Sequence, residues 1–249
     1  MIAPSGDRVI DRGGKRQYSF ERTFDSGLDR ALARNGHSNH RSSERKLQHI
    51  LRGAARVFCE KGFEGASIRD ISRATGVSLS GLYYYFESKQ KLLYLIQHHT
   101  FTSVLGQLEK RLASVHDPAE RLRILIRNHL DYFMSHPVEM KVLSHEDEAL
   151  EAPYRKEVAA VKRRYYEIAR GIFADLRKQG AARELNPRVA VLTLFGMMNW
   201  VYTWHKPKVD PGAEAMAETI TSIFLTGVAN GNGREALRAP APVAVDSVH

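Results

Sequence analysis

Apolar side chains recur at helical spacing along most of the chain. The first run lies between the capping residues Ser42 and Ser43 and the glycine Gly62, and its members are Leu47, Ile50, Leu51, Ala54 and Phe58. Steps of three or four residues keep such a run on one face of a helix. The sequence lacks the sustained alternation of apolar and polar residues that marks strands. The pattern predicts an all-α fold.

Capping and breaking residues divide the chain into about nine helices. Ser67 opens a short helix that Gly76 ends, Ser78 opens another, and Ser88 opens a long one. Further boundaries follow at Asp117-Pro118, His136-Pro137, Pro153, Gly180, Asn186-Pro187 and the turn from Pro207 to Gly212. The last helix is expected over about residues 213–229.

The same pattern predicts the domain organisation. Residues 1–40 combine glycines and charges with few large apolar side chains, so we expect a disordered basic arm. Residues 41–92, called the head below, contain three short helices and form a predicted DNA-binding domain. Residues 93–230 contain the longer helices and form a predicted effector-binding and dimerisation domain. Residues 231–249 are expected to be a disordered tail.

Charge is concentrated in the first part of the chain. The 37 Lys and Arg exceed the 28 Asp and Glu by 9, and residues 1–100 supply +7 of this excess. A polyanionic partner is therefore sought at the head first. The longest uncharged stretch, Val189 to Trp204, is shorter than a membrane span, and no membrane partner is expected. The one cysteine and the absence of a signal-peptide pattern favour a cytoplasmic protein.

Two of the short helices meet at Thr75-Gly76-Val77-Ser78, which is the layout of a helix-turn-helix. Glycine tolerates the left-handed backbone that the turn requires, and Ser78 caps the second helix. The amino-terminal end of such a helix enters a DNA major groove. By itself this pattern is weak, because helical hairpins are common.

A longer string is more specific than the turn. The motif Phe58-x-x-Lys61-Gly62-Phe63 precedes GASIRDI at residues 65–71, and LYYYFESK at residues 82–89 precedes Leu92-Leu93. Over about residues 44–95 the chain resembles the DNA-binding domain of the TetR family of bacterial transcriptional repressors. The resemblance implies a homodimer that binds double-stranded operator DNA, takes a small hydrophobic effector and needs no cofactor.

The resemblance also assigns DNA contacts. The expected residues are Arg45, Lys46, Ser67, Arg69, Ser78, Leu79, Ser80, Gly81, Tyr83, Tyr84, Tyr85 and Lys89. Residues 79–81 take the positions that read base edges, and Lys89 takes that of a phosphate clamp. Leu79 replaces a frequent Lys or Arg, which favours contact with a thymine methyl over guanine. Adjacent residues of a helix point about 100° apart, so one tyrosine packs inward, with Tyr83 the candidate. For Arg45 and Lys46 the alternative is a solvated helix face.

The segment 189–204 is apolar nearly all round and therefore needs cover on several sides. A twofold mate would supply part of that cover through an isologous four-helix interface. The candidate interface residues are Val189, Leu192, Leu194, Phe195, Met198, Val201, Ile220, Ile223 and Phe224. The alternative is an ordinary buried core helix.

An effector pocket is expected between the fourth and eighth helices. Met and aromatic side chains adapt to bulky apolar ligands. The candidate lining is Phe101, Leu105, Tyr132, Phe133, Met140, Tyr166, Met197, Trp200 and Trp204, with simple core packing as the alternative for each. The stretch from Phe195 to Trp204 resembles TetR regulators of lipid or steroid breakdown that sense acyl-CoA thioesters. The basic run 162–164 would then meet CoA phosphates, unless it is a solvated face.

Other function classes find less support. The histidines lack H-E-x-x-H spacing, and neither a Gly-rich phosphate loop nor a nucleophile elbow occurs. No catalytic or metal site is therefore expected. A metal site at residues 145–148 is the remote alternative. A regulator of efflux or drug response, or an activator with the same fold, is the nearer one.

Overall fold

A computed structural model describes residues 37–145 and 149–229, and the side chains of residues 43–144 and 149–229. The expectations for most of the arm (residues 1–36), for the tail and for a metal at residues 145–148 lie outside what it describes. Its helices are α1 His37–Gly65, α2 Ile68–Thr75, α3 Leu79–Tyr85, α4 Lys89–Leu112, α5 Pro118–Ser135, α6 Pro137–His145, α7 Ala152–Lys178, α8 Pro187–Asn199, α9 Val201–Trp204 and α10 Ala213–Val228.

The described residues confirm the all-α prediction. The only β pairing among them is an isolated bridge between Ala182 and Ala229. With α8 and the short α9 counted as one interrupted helix, the helices number nine in these ranges. Nowhere in the same ranges is a helix long and apolar enough to cross a bilayer.

Helix α1 begins earlier than predicted and is interrupted at the predicted glycine. It begins at His37, before the expected start of the head at residue 41. Near its other end Gly62 has φ 71° and ψ 162°, which interrupts the helical backbone at the predicted place. The described residues up to Leu47 and those from Gln48 onward belong to two separate units. The first is described only as the start of α1, and the packing below concerns the second.

The small core of the head is formed by apolar faces of the short helices. Its fully buried side chains include Ile50, Phe58, Ile71, Leu82 and Leu92. Ser67 caps α2, Ser78 caps α3 and Ser88 caps α4, each accepting a backbone N–H three residues ahead. These local caps place α3 immediately after the turn at Gly76, where its first residues reach solvent.

The core of the larger part lies around α5, which packs against α4, α7 and α10. Leu125 and Ile126 of α5, Phe173 of α7 and Leu194 of α8 are almost completely buried there. Asp117 caps α5 with Pro118 in its first turn, and Asn186 caps α8 with Pro187 in its first turn. Both starts are the predicted ones.

The predicted single helix from residue 187 to about 206 is interrupted at Trp200. Beyond this residue the amide of Thr203 donates to the Trp200 carbonyl oxygen at 3.1 Å, a bond of the tighter 3₁₀ kind. Short 3₁₀ segments within a helix often mark a hinge. The interruption separates α9 from α8, and α9 packs on α5 and α6.

Candidate nucleic-acid interface and regulatory core

The turn between α2 and α3 is held by hydrogen bonds that fix its shape. Gly76 adopts φ 67°, the left-handed backbone expected there. The Ser72 hydroxyl donates to the Val77 carbonyl oxygen at 2.7 Å, and the Thr75 hydroxyl donates to that of Ile71 at 2.7 Å. His49 Nε2 of α1 donates to the Thr75 carbonyl oxygen at 2.9 Å. The anchoring roles of His49 and Ser72 were missed in the sequence, because they depend on tertiary contacts.

Helix α1 approaches this turn closely at Gly53. A Cβ placed on Gly53 would lie 2.4 Å from the Thr75 methyl carbon, nearer than side chains tolerate. Thr75 has little freedom to retreat because its hydroxyl is bonded to the Ile71 carbonyl oxygen. Because Gly53 has no side chain, α1 can pack directly against Thr75 at the end of α2.

Helix α3 presents several predicted contact residues to solvent. Leu79 is 39% exposed, Tyr83 55% and Tyr84 52%, and Ser80 is also exposed. The structure corrects the expectation for the tyrosines, since Tyr85 and not Tyr83 is partly buried. The Tyr85 ring meets that of Tyr84 edge-on at 5.2 Å between centroids.

Ser78 and Gly81 shape the start of α3. The Ser78 hydroxyl accepts the Gly81 N–H at 3.2 Å and lies 3.2 Å from the Ser80 hydroxyl. A Cβ on Gly81 would lie 3.0 Å from a Val77 methyl and 3.1 Å from the Ser78 hydroxyl. Gly81 therefore has a structural role in addition to the predicted base contact.

Ser67 and Asp70 form a capping box at the start of α2. The Ser67 hydroxyl accepts the Asp70 N–H at 3.2 Å and donates to the Asp70 carboxylate at 2.6 Å. Lys61 donates to the same carboxylate at 2.7 Å, and this bond, with those from Ser67, holds the pKa of Asp70 below its usual range. Arg69, the other predicted phosphate contact here, is exposed.

Lys89 differs from its predicted role. Its ammonium donates to the carbonyl oxygens of Phe63 at 2.6 Å, Ala66 at 3.1 Å and Glu64 at 3.4 Å. It also lies 4.3 Å from the centroid of the Phe63 ring. With these backbone acceptors occupied, Lys89 joins the corner between α1 and α2 to the start of α4. Arg45 and Lys46, in the first compact unit, are exposed.

The first turns of α4 are tied to the start of α7. Tyr94 donates to Glu157 at 2.5 Å, and its ring stacks on that of Tyr154 with centroids 4.7 Å apart. Gln90 donates to the Ala149 carbonyl oxygen at 2.8 Å and accepts the Glu151 N–H at 3.2 Å. Burial and the adjacent Glu157 raise the pKa of Tyr94. We call these contacts the α4–α7 junction.

A second link between α4 and α7 uses the basic run 162–164. The Lys162 ammonium lies 4.9 Å from the centroid of the Phe101 ring, and Arg164 forms an ion pair with Glu109 at 2.7 Å. Arg163 is exposed. Two of the three cations that were expected to meet CoA phosphates thus contact α4.

The predicted pocket residues separate into three groups. Leu105, Tyr132, Phe133 and Met140 are buried in the main core, while Phe101, Tyr166 and Met197 are partly buried against it. Trp200 is 65% exposed and Trp204 44% exposed, so both lie at the surface of the described residues and not in the core.

The predicted dimer residues also divide. Leu194, Met198, Val201, Ile220 and Phe224 are buried within the chain's own core, and Phe195 is partly buried against it, which corrects the assignment of these six. Val189, Leu192 and Ile223 are exposed. On α8, the exposed Gly196 and Trp200 continue the line of Val189 and Leu192 at steps of three or four residues. We call Val189, Leu192, Gly196 and Trp200 the α8 stripe.

A polar pair that the sequence analysis did not assign lies in the core. Asn128 and His129 of α5 are 0% and 3% exposed. The Asn128 amide donates to the Val104 carbonyl oxygen of α4 at 3.0 Å. Burial lowers the pKa of His129 to about 3, partly opposed by the Asn199 side chain. Their position in the apolar stripe of Leu122, Leu125 and Ile126 was the available signal.

A groove of about 1150 Å³ lies elsewhere, between α5 and α10. It is lined by charged side chains, among them Arg111, Arg123, Arg127 and Glu214, and by apolar ones such as Ile124. Arg127 bonds to Asp131 at 2.8 Å and Glu214 at 2.9 Å within it. Its lining includes none of the predicted pocket residues.

Comparison with known domain families identifies both parts of the chain. Residues 50–94 match the family described as bacterial regulatory proteins, tetR family. Residues 115–228 match the tetracyclin repressor-like C-terminal domain.

Curated relatives are transcriptional repressors. The chain is 34% identical over 106 residues to NicS of Pseudomonas putida, which is 42% of this chain and 50% of that repressor. It is 23% identical over 193 residues to KstR2 of Mycolicibacterium smegmatis, 76% of this chain and 93% of that one. The first match spans half of its relative, and the second spans nearly all.

Solved structures extend the likeness over whole chains. The TetR family regulator PfmR from Thermus thermophilus is 31% identical, with a TM-score of 0.66 over 73% of this chain and 99% of that chain. AibR, solved in complex with isovaleryl coenzyme A and operator DNA, is 28% identical, with a TM-score of 0.65 over 72% and 97%. These matches show that the chain belongs to the TetR family of bacterial transcriptional regulators, which are not enzymes.

Proposed function

We propose that this regulator is a homodimeric repressor that leaves its operator when a small hydrophobic effector binds. The head, residues 41–92, binds DNA, and residues 93–230 bind the effector and form the dimer. The observation that carries the proposal is the exposed start of α3, where Leu79 and Ser80 project from a turn fixed by Gly76 and Thr75. A dimer places two such helices in major grooves about one helical turn apart.

The DNA contacts follow from exposure at the head. Leu79 and Ser80 read bases, and Tyr83 and Tyr84 contact backbone phosphates with their hydroxyls. Arg69 and the caps of α2 and α3 add contacts, since helix amino termini attract phosphate. Arg45 and Lys46 approach the DNA from the start of α1.

Dimerisation through α8 and α10 is supported by their exposed apolar surface. The α8 stripe and Ile223 of α10 leave large apolar side chains in water, which monomeric proteins rarely do over a contiguous surface. Gly196 permits close approach of a second backbone in the middle of the stripe. A twofold axis through this surface pairs each element with its own copy.

Coupling between effector and operator runs through α4. This helix begins in the head at Lys89 and reaches the core beside α5 at Val104. The α4–α7 junction attaches its first turns to the larger domain. An effector that displaces α4 therefore moves the head of each protomer and changes the spacing of the two recognition helices.

An acyl-CoA thioester is the proposed effector class. AibR, similar over nearly its whole length, was solved with isovaleryl coenzyme A and operator DNA. This relation supports the class, and the residues between Phe195 and Trp204 add the resemblance to regulators of lipid and steroid breakdown.

Selection of DNA fragments by the purified protein tests DNA recognition. A palindromic site is expected, and Leu79→Lys should shift selection towards guanine at one position of each half-site. Gln107→Lys, which adds the same charge on an exposed face of α4, is the control and should leave the site unchanged. Selection of the same sequence by wild type and Leu79→Lys would remove residue 79 from base reading.

Titration of the operator complex with isovaleryl-CoA and longer acyl-CoAs tests release. Micromolar thioester should lower operator affinity at least tenfold, while coenzyme A alone should not. Unchanged affinity with every thioester would reject this effector class.

A further inference from the structure

The buried pair Asn128 and His129 leaves two polar atoms without a partner. Among the side chains described, residues 43–144 and 149–229, neither Asn128 Oδ1 nor His129 Nε2 has a hydrogen-bond partner at ordinary distance and angle. An unmet buried polar atom costs about 1–3 kcal/mol, so such atoms are uncommon in a core. Apolar residues of similar volume in place of Asn128 and His129 would make the fold more stable.

Elements that bear on regulation converge at this pair. The Asn128 amide holds the Val104 carbonyl oxygen of α4, and the Tyr165 hydroxyl of α7 lies 3.5 Å from His129 Nδ1. Phe133 and Phe195 surround the imidazole with ring centroids 4.6 and 6.1 Å away. The Asn199 side chain is near enough to raise the pKa of His129 through a weak hydrogen bond, and it is exposed at the interruption between α8 and α9. The pair thus lies next to a hinge that reaches solvent.

The chemistry of the pair selects its ligand. His129 is neutral at physiological pH, because burial lowers its pKa to about 3. A neutral imidazole carries one proton, and we assign it to Nε2, with the Tyr165 hydroxyl donating to Nδ1. The site then offers one donor, His129 Nε2–H, and one acceptor, Asn128 Oδ1. A carboxylate or ammonium group would lose its hydration here without an opposite charge in return.

We propose that Asn128 and His129 form the polar subsite of the effector pocket and bind an uncharged carbonyl, amide or hydroxyl group of an otherwise apolar ligand. The proposal rests on the proposed function in that the ligand is the effector. For an acyl-CoA the bound atom is the thioester carbonyl oxygen, which accepts from His129 Nε2–H. Because Asn128 also holds Val104, a ligand that rotates its amide acts directly on α4.

Two small probes test the subsite without requiring a CoA thioester. Isovaleramide presents a carbonyl acceptor and an amide donor on a branched apolar group, and isovalerate is its charged counterpart. The full-length protein is labelled with ¹⁵N-histidine, and the His129 imidazole signals are identified by their loss in His129→Leu. Millimolar isovaleramide should shift these signals, with isovalerate at least tenfold weaker. Absence of a His129 shift with isovaleramide, or an equal shift with isovalerate, would overturn the proposal.

Three variants separate binding from folding. His129→Leu should keep its fold and operator affinity, melt at or above the wild-type temperature, and lose isovaleramide binding. His129→Gln retains a donor and an acceptor and should recover part of the binding. Thr221→Val removes a buried hydroxyl from α10 instead and should bind isovaleramide as wild type does. If His129→Leu melts well below wild type while His129→Gln binds no isovaleramide, the pair is structural and the proposal fails.

Isovaleryl-CoA distinguishes failure of the subsite from failure of the proposed function. If isovaleramide shifts His129 and isovaleryl-CoA leaves the operator bound, the subsite stands and the thioester class is rejected. If isovaleryl-CoA releases operator equally from wild type and His129→Leu, repression by that class stands and the subsite is rejected.

Discussion

The Lys89 ammonium donates a 2.6 Å hydrogen bond to the carbonyl oxygen of Phe63 and lies 4.3 Å above the ring of the same residue. One cation thus anchors the start of α4 to the corner that follows α1. Hydrogen bonds to charged groups contribute about 1.5–3 kcal/mol each. The predicted phosphate clamp is therefore better explained as a support for the head.

Lys89→Ala should lower the melting temperature and leave the salt dependence of operator binding unchanged. Its ammonium bonds to carbonyl oxygens, so its removal costs stability without removing a phosphate contact. Thermal unfolding and binding at several salt concentrations measure the two effects. Arg69→Ala is the control. It should reduce the slope of log binding constant against log salt concentration by about the value of one phosphate contact, and it should leave the melting temperature unchanged. If Lys89→Ala instead reduces the salt dependence of operator binding and leaves the melting temperature unchanged, Lys89 contacts phosphate as first predicted.

Gly53→Ala should destabilise the head by about 1–3 kcal/mol through overpacking against Thr75. The new methyl would lie 2.4 Å from the Thr75 methyl carbon, which is held by its own hydroxyl bond. Urea unfolding at fixed protein concentration measures the change. Gly171→Ala in α7 has open space around it and should instead stabilise by about 0.5–1 kcal/mol. Equal effects from both substitutions would contradict the close approach.

Tyr94→Phe and Glu157→Gln should be coupled by about 1 kcal/mol in a double-mutant cycle of unfolding free energies. They share the 2.5 Å bond of the α4–α7 junction. Tyr94→Phe paired with Glu167→Gln, which changes a carboxylate bonded to Arg170, should be additive. Tyr94→Phe should also alter the thioester concentration needed for operator release. If the effects of Tyr94→Phe and Glu157→Gln on the unfolding free energy are additive, the α4–α7 junction does not couple the two helices.

Trp200→Asp should dissociate the proposed dimer and weaken operator binding more than tenfold, because it buries a charge in the α8 stripe. Light scattering or sedimentation measures the mass at matched concentration. Val209→Asp is the control: Val209 is 79% exposed but lies in the loop before α10. If Trp200→Asp remains dimeric, the interface lies elsewhere.

Acid should destabilise wild type more steeply than His129→Leu. Since the His129 pKa is about 3 in the fold and ordinarily about 6.5, the unfolded chain alone takes up its proton between those values. The unfolding free energy then falls by about 1.4 kcal/mol per pH unit as the pH drops below about 6.5. His98 and His99, whose pKa is also lowered, remain in both proteins. Denaturant unfolding at pH values from 7.5 to 4.5 measures how the unfolding free energy of each protein depends on pH. The same pH dependence in both proteins would mean that His129 is exposed to water.

The helix starts and the turn at Gly76 were predicted correctly because they depend on neighbouring residues in the sequence. The starts at Ser67, Asp117-Pro118 and Asn186-Pro187 depend on side chains within three residues of the backbone they cap. The left-handed turn at Gly76 depends on one residue. These features need no tertiary information.

The errors have a different origin. A helix that is apolar all round has no polar side to show which face is buried. The sequence therefore did not reveal that Leu194 of α8 is buried while Trp200 is exposed. Lys89 bonds to residues 23 to 26 positions earlier, which only the folded chain brings together. The core position of His129 could have been predicted, because the residue lies in the apolar stripe of Leu122, Leu125 and Ile126.

Helix α4 runs unbroken for 24 residues, from the head to the core of the larger domain. Its length of about 36 Å makes it a lever whose far end magnifies small movements. A tilt of about 5° about one end displaces the other by about 3 Å, close to the spacing of about 3.4 Å between stacked bases. If the proposed effector binds at Val104 and Asn128, a local shift of about 1 Å there is enough to put the two recognition helices out of step with the DNA helix.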